Sequence, residues 1–277
     1  MTPAAFSPVV PMSDGHQIPQ LGLGVYKVED DLATSLVAGA IELGYRHVDT
    51  AALYNNERGV GEGVRASGID REEIFVTTKV WNDRHGYDET QRAFDESLSL
   101  LGMDYVDLYL IHWPAPAQDR YVDAWRALVK LQADGKVRSI GVSNFKPHHI
   151  ERLREVSDAV PVLNQVELHP WLPQREVRDF DRENGILTES WSPLARGRVL
   201  DNEILDSIAN KHGRTPAQVV LRWHIQLGVV VIPKSNSLDR VRENSQVFDF
   251  ALDVADLAAI AELETGERTG MDPDLHG

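Results

Sequence analysis

The chain has 277 residues, of which 42% are hydrophobic, so it is long enough to bury a large core without covalent cross-links. It contains no cysteine, which excludes disulfides, thiolate nucleophiles and cysteine-ligated metals. The formal net charge of -15 argues against nucleic acid or an anionic membrane as the main partner, but it is compatible with a local basic pocket for a phosphate. Residues 1–10 show no secretory signal and no apolar run is long enough to span a bilayer, so we expect a cytoplasmic protein.

Short β-rich runs alternate with longer amphipathic stretches along the chain. The runs predict strands at Leu21–Val25, Tyr45–Asp49, Ile74–Lys79, Val106–His112, Arg138–Val142, Val162–Val166, Leu187–Ser190 and Val229–Ile232. The stretches predict helices at Asn56–Ala66, Asp88–Leu101, Tyr121–Ala133, Pro147–Val156, Gln174–Asn184, Asn202–His212 and Thr215–Gln226. Strict alternation is typical of a parallel sheet, which eight units can form as an open sheet or as a closed barrel. No long linker divides the chain, so we expect residues 1–277 to form one domain.

Nearly every predicted strand ends on a residue with a chemically useful side chain. Ligands bind at the carboxyl ends of parallel strands, so in a closed barrel these residues would surround one site. Lys79 ends a buried strand, and a buried ammonium needs an anionic partner. Asp49, which ends the preceding strand, is the nearest candidate, and His112 ends the next strand. Each residue alone has an ordinary structural explanation, but the three together predict a functional site.

Six segments of the chain form a distinctive set of motifs: GYRHVDTAALYNNE (44–57), VTTKVWN (76–82), DLYLIHWP (107–114), IGVSNF (140–145), NQVELHP (164–170) and VIPKSNSLDRVREN (231–244). Together they resemble the aldo-keto reductases, most closely the bacterial 2,5-diketo-D-gluconic acid reductases. The resemblance extends from about Gly15 to Leu263. It implies an α/β fold of the (β/α)8 TIM-barrel type, with an N-terminal β-hairpin around Val9–Ile18 plugging the barrel bottom. The pair Asp14-Gly15 independently predicts the hairpin turn.

The resemblance implies that NADPH reduces a carbonyl group and that Tyr54, Lys79, Asp49 and His112 are the catalytic residues. Tyrosine has an unperturbed pKa of about 10, and a neighbouring cation favours its ionised form. We therefore expect Lys79, held by Asp49, to bring the pKa of Tyr54 closer to working pH and ease proton donation. His112 can donate a hydrogen bond to the carbonyl oxygen and stabilise the developing charge there.

The cofactor and substrate residues follow from the same resemblance. Trp191 has a flat face suited to stacking on nicotinamide, and Lys234 with Arg240 suits the extra phosphate of NADPH, although Ser237 replaces a basic residue of some relatives. The expected cofactor-binding residues are Ser143, Asn144, Gln165, Trp191, Ser192, Leu194, Lys234, Ser235, Arg240, Glu243 and Asn244. The expected walls of the substrate pocket are Tyr26, Trp81 and Trp113.

Other motifs suggest alternatives. The glycines at 59, 61 and 63 lack the spacing of a dinucleotide loop, so we interpret them as helix packing against the barrel. The pairs Glu167–His169 and His148–His149 lack a third metal ligand, so no metal site is expected. Glu189 near a strand end is compatible with a carboxylate-pair hydrolase, which would not use Lys79 or the anion site.

The substrate and the assembly state are the last expectations from the sequence. A non-catalytic NADPH-binding sensor is a second class of function. The resemblance favours 2,5-diketo-D-gluconate, reduced to 2-keto-L-gulonate, over general aldehydes such as methylglyoxal. The polar tail from Gly266 to Gly277 is expected to lie on the surface and leave the pocket open. The chain is expected to be a monomer.

Overall fold

Within residues 6–276, the strands form a two-stranded hairpin and an eight-stranded sheet. The computed structural model describes residues 6–276. The strands in chain order are β1 (Val9–Pro11), β2 (Gln17–Pro19), β3 (Leu23–Gly24), β4 (His47–Asp49), β5 (Phe75–Val80), β6 (Val106–Ile111), β7 (Val137–Ser143), β8 (Leu163–Glu167), β9 (Leu187–Trp191) and β10 (Val230–Val231). The helices are α1 (Asp30–Glu42), α2 (Glu57–Ala66), α3 (Tyr87–Leu101), α4 (Tyr121–Ala133), α5 (Pro147–Arg154), α6 (Arg175–Glu183), α7 (Glu203–His212), α8 (Pro216–Gln226), α9 (Leu238–Ser245) and α10 (Val254–Ala261).

The sheet closes into a barrel. Strands β3 to β10 pair in chain order, and each pair is parallel. Parallel bridges between Leu21 and Val231 and between Gly24 and Lys234 join the first strand to the last. The amide of Gly22 also donates to the carbonyl of Val231 at 2.9 Å. These contacts confirm the (β/α)8 TIM barrel that the resemblance implied and that periodicity alone left open.

The N-terminal hairpin covers the bottom of the barrel, where the strands begin. β1 and β2 pair in antiparallel fashion, and Gly15 in the connecting turn has a φ of 90°, a conformation that favours glycine. Met12 and Ile18 pack in one apolar cluster with Phe75, Leu108 and Leu163, which belong to three different barrel strands. The hydroxyl of Ser139 donates to Asp14 Oδ2 at 2.7 Å. The predicted hairpin and its role as a plug are confirmed.

The helices lie around the barrel, and most follow the sequence prediction within one or two residues. α4 has the predicted bounds. The side chain of Asn202 caps α7, and Thr215 caps α8 with Pro216 in its first turn, because these residue types satisfy the free amides of a helix start. The sequence prediction gave no bounds for α1, α9 or α10. The main core lies between the helices and the outer face of the strands, where, for example, the ring centroids of Phe94 and Tyr109 are 4.8 Å apart.

The glycine run in α2 packs against helices rather than against the barrel. A Cβ atom on Gly59 would lie 2.1 Å from the carbonyl oxygen of Asp30 in α1, and one on Gly61 would lie 1.9 Å from that of Leu101 in α3. The prediction that these glycines serve helix packing is therefore right, but the partner it named is wrong. Close approach of backbones, which only glycine permits, explains the spacing.

No helix formed by residues 6–276 has both the length and the apolar character needed to cross a membrane.

Candidate active site

A buried ion pair lies inside the barrel near the carboxyl ends of β4 and β5. Lys79 Nζ is 2.6 Å from Asp49 Oδ1 and donates to the carbonyl of Thr50 at 2.9 Å. The Lys79 side chain is fully buried. Burial alone would lower the pKa of Lys79, but the charge of Asp49 and the hydrogen bond to it help to raise this pKa above its usual value. The ammonium therefore stays charged in the barrel interior, as the sequence analysis expected.

Tyr54 lies above this pair, on a short 3-10 helix (Ala52–Tyr54) that follows β4. Lys79 Nζ is 5.1 Å from the centroid of its ring. Burial raises the pKa of Tyr54 to about 12, and the Lys79 ammonium opposes this rise. The sequence analysis expected the lysine to dominate and to bring this pKa towards working pH, so it underestimated desolvation. The phenol is protonated at neutral pH, and Lys79 is placed to stabilise the tyrosinate that proton donation leaves behind.

His112, directly after β6, is the fourth member of the cluster. Its ring centroid is 5.6 Å from that of Tyr54 and 5.0 Å from that of Trp81, in both cases edge-on. Burial and the charge of Lys79 lower the pKa of His112 well below its usual range, so the imidazole is neutral. A neutral imidazole carries one N–H and can donate one hydrogen bond to a substrate oxygen.

Gln165 of β8 joins two buried carboxylates. Its Nε2 atom donates to Asp49 Oδ2 at 2.8 Å and to Glu189 Oε2 at 2.7 Å. The sequence analysis considered Glu189 only as half of a hydrolytic carboxylate pair. Both carboxylates bind the same amide nitrogen and are almost completely buried, so they do not flank a space for a glycosidic bond as that mechanism requires.

Ser143, Asn144 and Trp191 form one hydrogen-bonded corner of the site. Asn144 Nδ2 donates to the His112 carbonyl at 2.9 Å and to Ser143 Oγ at 3.0 Å, while Asn144 Oδ1 accepts from Trp191 Nε1 at 2.8 Å. Ser143 Oγ donates to the Gln165 carbonyl at 2.9 Å. Asn144 has a φ of 64°, a conformation that asparagine tolerates better than most residues. Four of the predicted cofactor residues therefore lie together and are linked by hydrogen bonds, namely Ser143, Asn144, Gln165 and Trp191.

The loop after β9 contains the next two predicted cofactor residues. Ser192 has a φ of 52°, and its carbonyl accepts from the amide of Ala195 at 2.8 Å. Leu194 is half-buried and packs against the apolar core. The loop leads into a short 3-10 helix (Ala195–Leu200) beside the strand end.

The predicted anion site lies after β10, across the barrel mouth. Lys234 and Arg240 are exposed, and partial burial together with the nearby Lys27 ammonium lowers the pKa of Lys234. The sequence analysis missed Lys27, because only barrel closure brings residues 24 and 234 together. A phosphate placed between such like charges would relieve their repulsion, so these residues fit an anionic ligand.

The other residues of this region make internal hydrogen bonds. Ser235 Oγ accepts from the Ser237 amide and donates to the Ser237 carbonyl, both at 3.0 Å. Glu243 Oε1 accepts from Thr215 Oγ1 at 2.6 Å, and Asn244 is buried. Ser235 and Glu243 thus shape the loop and α9, and Lys234 and Arg240 are the more available groups for a ligand.

Aromatic side chains surround the space in front of Tyr54. The ring centroid of Tyr26 is 5.0 Å from that of Tyr54, and Trp81 lies against His112. The His276 ring lies 4.4 Å from the Trp113 ring and 5.9 Å from the Trp81 ring, measured between centroids. The three residues predicted to line the substrate pocket therefore lie near Tyr54 and His112, and His276 from the C-terminal tail packs against two of them.

Hydrogen bonds and ion pairs hold the C-terminal tail, residues 269–276, over the site. Glu167 Oε1 accepts from the amide and the hydroxyl of Thr269, both at 2.6 Å, and Lys146 Nζ is 2.6 Å from carboxylate oxygens of Asp272 and Asp274. The tail lies on the surface, as expected, with Met271 and Leu275 more than half exposed. The expectation that it leaves the pocket open was wrong, because the His276 ring packs against Trp113. The charges that hold this segment are distant in the sequence, so no local pattern predicts their pairing.

The tail also brings Asp274 to the histidine pair His148–His149, which had no third metal ligand in the sequence analysis. Asp274 Oδ1 is 3.0 Å from His148 Nε2 and 3.2 Å from His149 Nε2. However, His149 Nδ1 accepts from the Lys146 amide at 3.1 Å in the cap of α5. A neutral histidine in that state carries its proton on Nε2, so metal binding there would require breaking the cap. In the other pair, His169 Nε2 lies 3.1 Å from Glu167 Oε1, the same atom that accepts from the Thr269 amide in the tail.

Comparison with known proteins places this geometry in a family. A family model described as the aldo/keto reductase family matches residues 20–265. The chain belongs to the aldo/keto reductase family. It is 51% identical over 273 residues to a glyoxal reductase of Bacillus subtilis, covering 98% of both chains. It is 47% identical over 271 residues to the methylglyoxal reductase DkgA of Escherichia coli, covering 97% of this chain and 98% of the relative.

Solved structures of aldo/keto reductases have the same fold. A mutant of Gox0644 in complex with NADPH matches with a TM-score of 0.94 and 51% identity, covering 98% of this chain and 99% of the other. A Bombyx mori aldo-keto reductase in complex with NADP matches with a TM-score of 0.90 and 37% identity, covering 97% and 96%. This aldo/keto reductase is therefore an oxidoreductase. Its tail beyond residue 265 lies outside the segment that the family model matches.

Proposed function

We propose that this aldo/keto reductase reduces a small aldehyde or ketone to an alcohol with NADPH. The observation that carries the proposal is the cluster of Tyr54, Lys79, Asp49 and His112 around one space at the barrel mouth. When bound, NADPH supplies the hydride that adds to the carbonyl carbon. The presence of all four residues favours an enzyme over a non-catalytic NADPH sensor.

The protein's part in the reaction is to place the carbonyl and to deliver a proton. His112 donates a hydrogen bond that orients the carbonyl oxygen and stabilises its developing charge. Tyr54 transfers its phenolic proton to that oxygen, which completes the alcohol and leaves a tyrosinate. Lys79, held in place by Asp49 at 2.6 Å, stabilises this anion until solvent returns the proton.

The same proposal assigns the cofactor to the groove between the Asn144 corner and the region after β10. Trp191 would stack on the nicotinamide ring, and Lys234 with Arg240 would bind the extra phosphate of NADPH. Lys27, whose charge lowers the pKa of Lys234, would be a third cation near that phosphate. Several structural relatives are described as complexes with NADPH or NADP, which supports this cofactor.

For the substrate, we propose small dicarbonyls such as glyoxal or methylglyoxal. The names of the relatives from Bacillus subtilis and Escherichia coli support this class, and the ring of His276 narrows the pocket beside Trp113. The first expectation from the sequence, 2,5-diketo-D-gluconate, belongs to the same reaction type and serves as the competing substrate. We also propose that residues 1–277 form one domain and that the enzyme is a monomer.

The test is a panel of kcat/KM values for methylglyoxal, glyoxal, 2,5-diketo-D-gluconate and an aromatic aldehyde, each with NADPH and NADH. We expect turnover with NADPH and the highest value for a small dicarbonyl. Tyr54→Phe should lower kcat by about 10²–10⁴-fold, the usual contribution of a positioned proton donor. It should leave the Kd of NADPH unchanged. Binding of NADPH without turnover by the wild type would favour the sensor, and full activity of Tyr54→Phe would refute the role of Tyr54.

A further inference from the structure

The amide of Gln165 occupies an unusual position between two acidic side chains. Both contacts, to Asp49 Oδ2 and Glu189 Oε2, are made by its Nε2 atom. An amide nitrogen has two hydrogens, so these two bonds use both. A flipped amide would instead turn its carbonyl oxygen towards the same two acceptors. The contacts therefore fix which side of Gln165 carries the oxygen, and they leave Oε1 as the acceptor for other partners.

These contacts make a continuous chain through the barrel interior. Glu189 binds Gln165, Gln165 binds Asp49, and Asp49 binds Lys79, whose ammonium lies 5.1 Å from the ring centroid of Tyr54. Glu189 and Lys79 are fully buried, and Asp49 and Gln165 are 2% exposed. A change at Glu189 can therefore reach both the proposed nicotinamide subsite, through Gln165, and the proton donor, through Asp49 and Lys79.

Among residues 6–276, no cation binds Glu189 directly. Its Oε1 atom makes no hydrogen bond within the described part of the chain and lies 3.7 Å from His47 Nε2. Burial lowers the pKa of His47 to about 3, so this histidine is neutral. The other polar groups that face Glu189 are Gln165, Asp49 and the more distant Lys79. Burial, with the charge of Asp49, raises the pKa of Glu189 to about 8.

We propose that Glu189 is a positioning residue for carbonyl reduction, which fixes the Gln165 amide and through it links the cofactor subsite to the Asp49–Lys79 pair. The inference rests on the proposed function, because it assigns Gln165 Oε1 to the carboxamide of NADPH. Glu189 fills this role as a neutral acid at neutral pH. Its ionisation would place a second negative charge beside Asp49.

That ionisation has a definite effect on the reaction. A second negative charge that acts on Lys79 offsets part of the positive charge that stabilises the tyrosinate, so it makes Tyr54 a weaker proton donor. The group is neutral below its pKa and charged above it. We therefore expect kcat for reduction to fall as pH rises through about 8.

Two substitutions separate the acceptor function of Glu189 from its charge. Glu189→Gln keeps an oxygen acceptor for Gln165 but cannot ionise. It should keep kcat at pH 7 and the Kd of NADPH within about twofold of wild type, and it should abolish the fall of kcat near pH 8. Glu189→Leu removes the acceptor and lets the Gln165 amide turn. It should raise the Kd of NADPH about tenfold at every pH, which corresponds to losing one hydrogen bond of ordinary strength. It should also lower kcat.

Thr77→Val is the matched control. Thr77 lies in the same buried interior, where its Oγ1 is 3.5 Å from His47 Nε2. The substitution conserves shape and should change neither the Kd of NADPH nor the pH profile. Circular dichroism and thermal melts check that each variant is folded.

Wild-type values of Kd and of the pH profile in folded Glu189→Leu would overturn the proposal. An alkaline fall that persists in Glu189→Gln would overturn the assignment of the charge effect to this residue. If Glu189→Leu does not fold, the pH profile of Glu189→Gln decides. A wild-type enzyme that binds NADPH but reduces no carbonyl would refute the proposed function instead, and the Kd measurements would still test the link between Glu189 and the cofactor.

Discussion

Replacing Asp49 by asparagine is expected to leave a positive charge without a counterion inside the barrel. At the observed 2.6 Å, the attraction between Lys79 and Asp49 is about 6 kcal/mol before desolvation is counted, at an effective dielectric constant of about 20. Removing one partner of a buried pair typically costs about 3–5 kcal/mol, because the other charge stays buried. We therefore expect Asp49→Asn to lower the free energy of unfolding by about 3–5 kcal/mol at pH 7.

Removal of the other member of the pair, by Lys79→Met, should lower the free energy of unfolding less than Asp49→Asn does. Methionine keeps most of the length of the lysine stem, and Asp49 still accepts a hydrogen bond from Gln165. Burial favours the protonated form of the carboxyl, so Asp49 can become neutral instead of remaining an isolated anion. We expect a loss of about 1–3 kcal/mol, the usual cost of an unsatisfied buried polar group.

The double variant Asp49→Asn with Lys79→Met provides the decisive comparison. Since it contains no stranded ammonium, it should be more stable than Asp49→Asn alone, although it has one more substitution. Urea unfolding followed by far-ultraviolet circular dichroism measures all three variants on one scale, after a check of reversibility. A loss below about 1 kcal/mol in Asp49→Asn, or a double variant less stable than Asp49→Asn, would refute a charged Lys79 in the interior.

Three further predictions concern the cofactor, the helix packing and the tail. Arg240→Ala should raise the KM for NADPH by about tenfold or more and leave that for NADH unchanged, since a charge-assisted hydrogen bond contributes about 1.5–3 kcal/mol; equal effects on both cofactors in steady-state kinetics would exclude a phosphate contact. Gly61→Ala should cost about 1–3 kcal/mol or more in urea unfolding, because its Cβ would lie 1.9 Å from the Leu101 oxygen; an unchanged midpoint would contradict the tight contact. Lys146→Met should release the segment that carries His276, and limited proteolysis with mass spectrometry should detect this release. The same substitution should raise kcat/KM for aromatic aldehydes relative to methylglyoxal. Cleavage and selectivity identical to those of the wild type would show that Lys146 does not hold the tail in place.

The features of this structure that could be predicted from the sequence are those encoded by residue patterns within short segments. Hydrophobic periodicity located the strands and most helices, and residue types such as Thr215 with Pro216 marked a helix start. Positions at strand ends singled out Asp49, Lys79 and His112. Barrel closure was not a local property, because alternation of strands and helices is the same in an open sheet, and only the family resemblance pointed to it.

The features that could not be predicted depend on contacts between segments far apart in the chain, or on the balance of opposing contributions to a free energy. Lys146 and Asp274 are far apart in the chain, so the tail could not be placed from its polar composition. Lys27 meets the region of Lys234 only after the barrel closes. For Tyr54, the sign of both effects on its pKa was foreseeable, but the larger one, desolvation, requires knowledge of its burial.

The fastened tail has an optical consequence. The chain has six tryptophans, and three of them, Trp81, Trp113 and Trp191, lie around the candidate site. The tail contacts each of the three: the His276 ring lies against Trp81 and Trp113, and Gly270 packs closely on Trp191. Intrinsic fluorescence should therefore report, without any label, when the tail detaches or when a ligand enters beneath it.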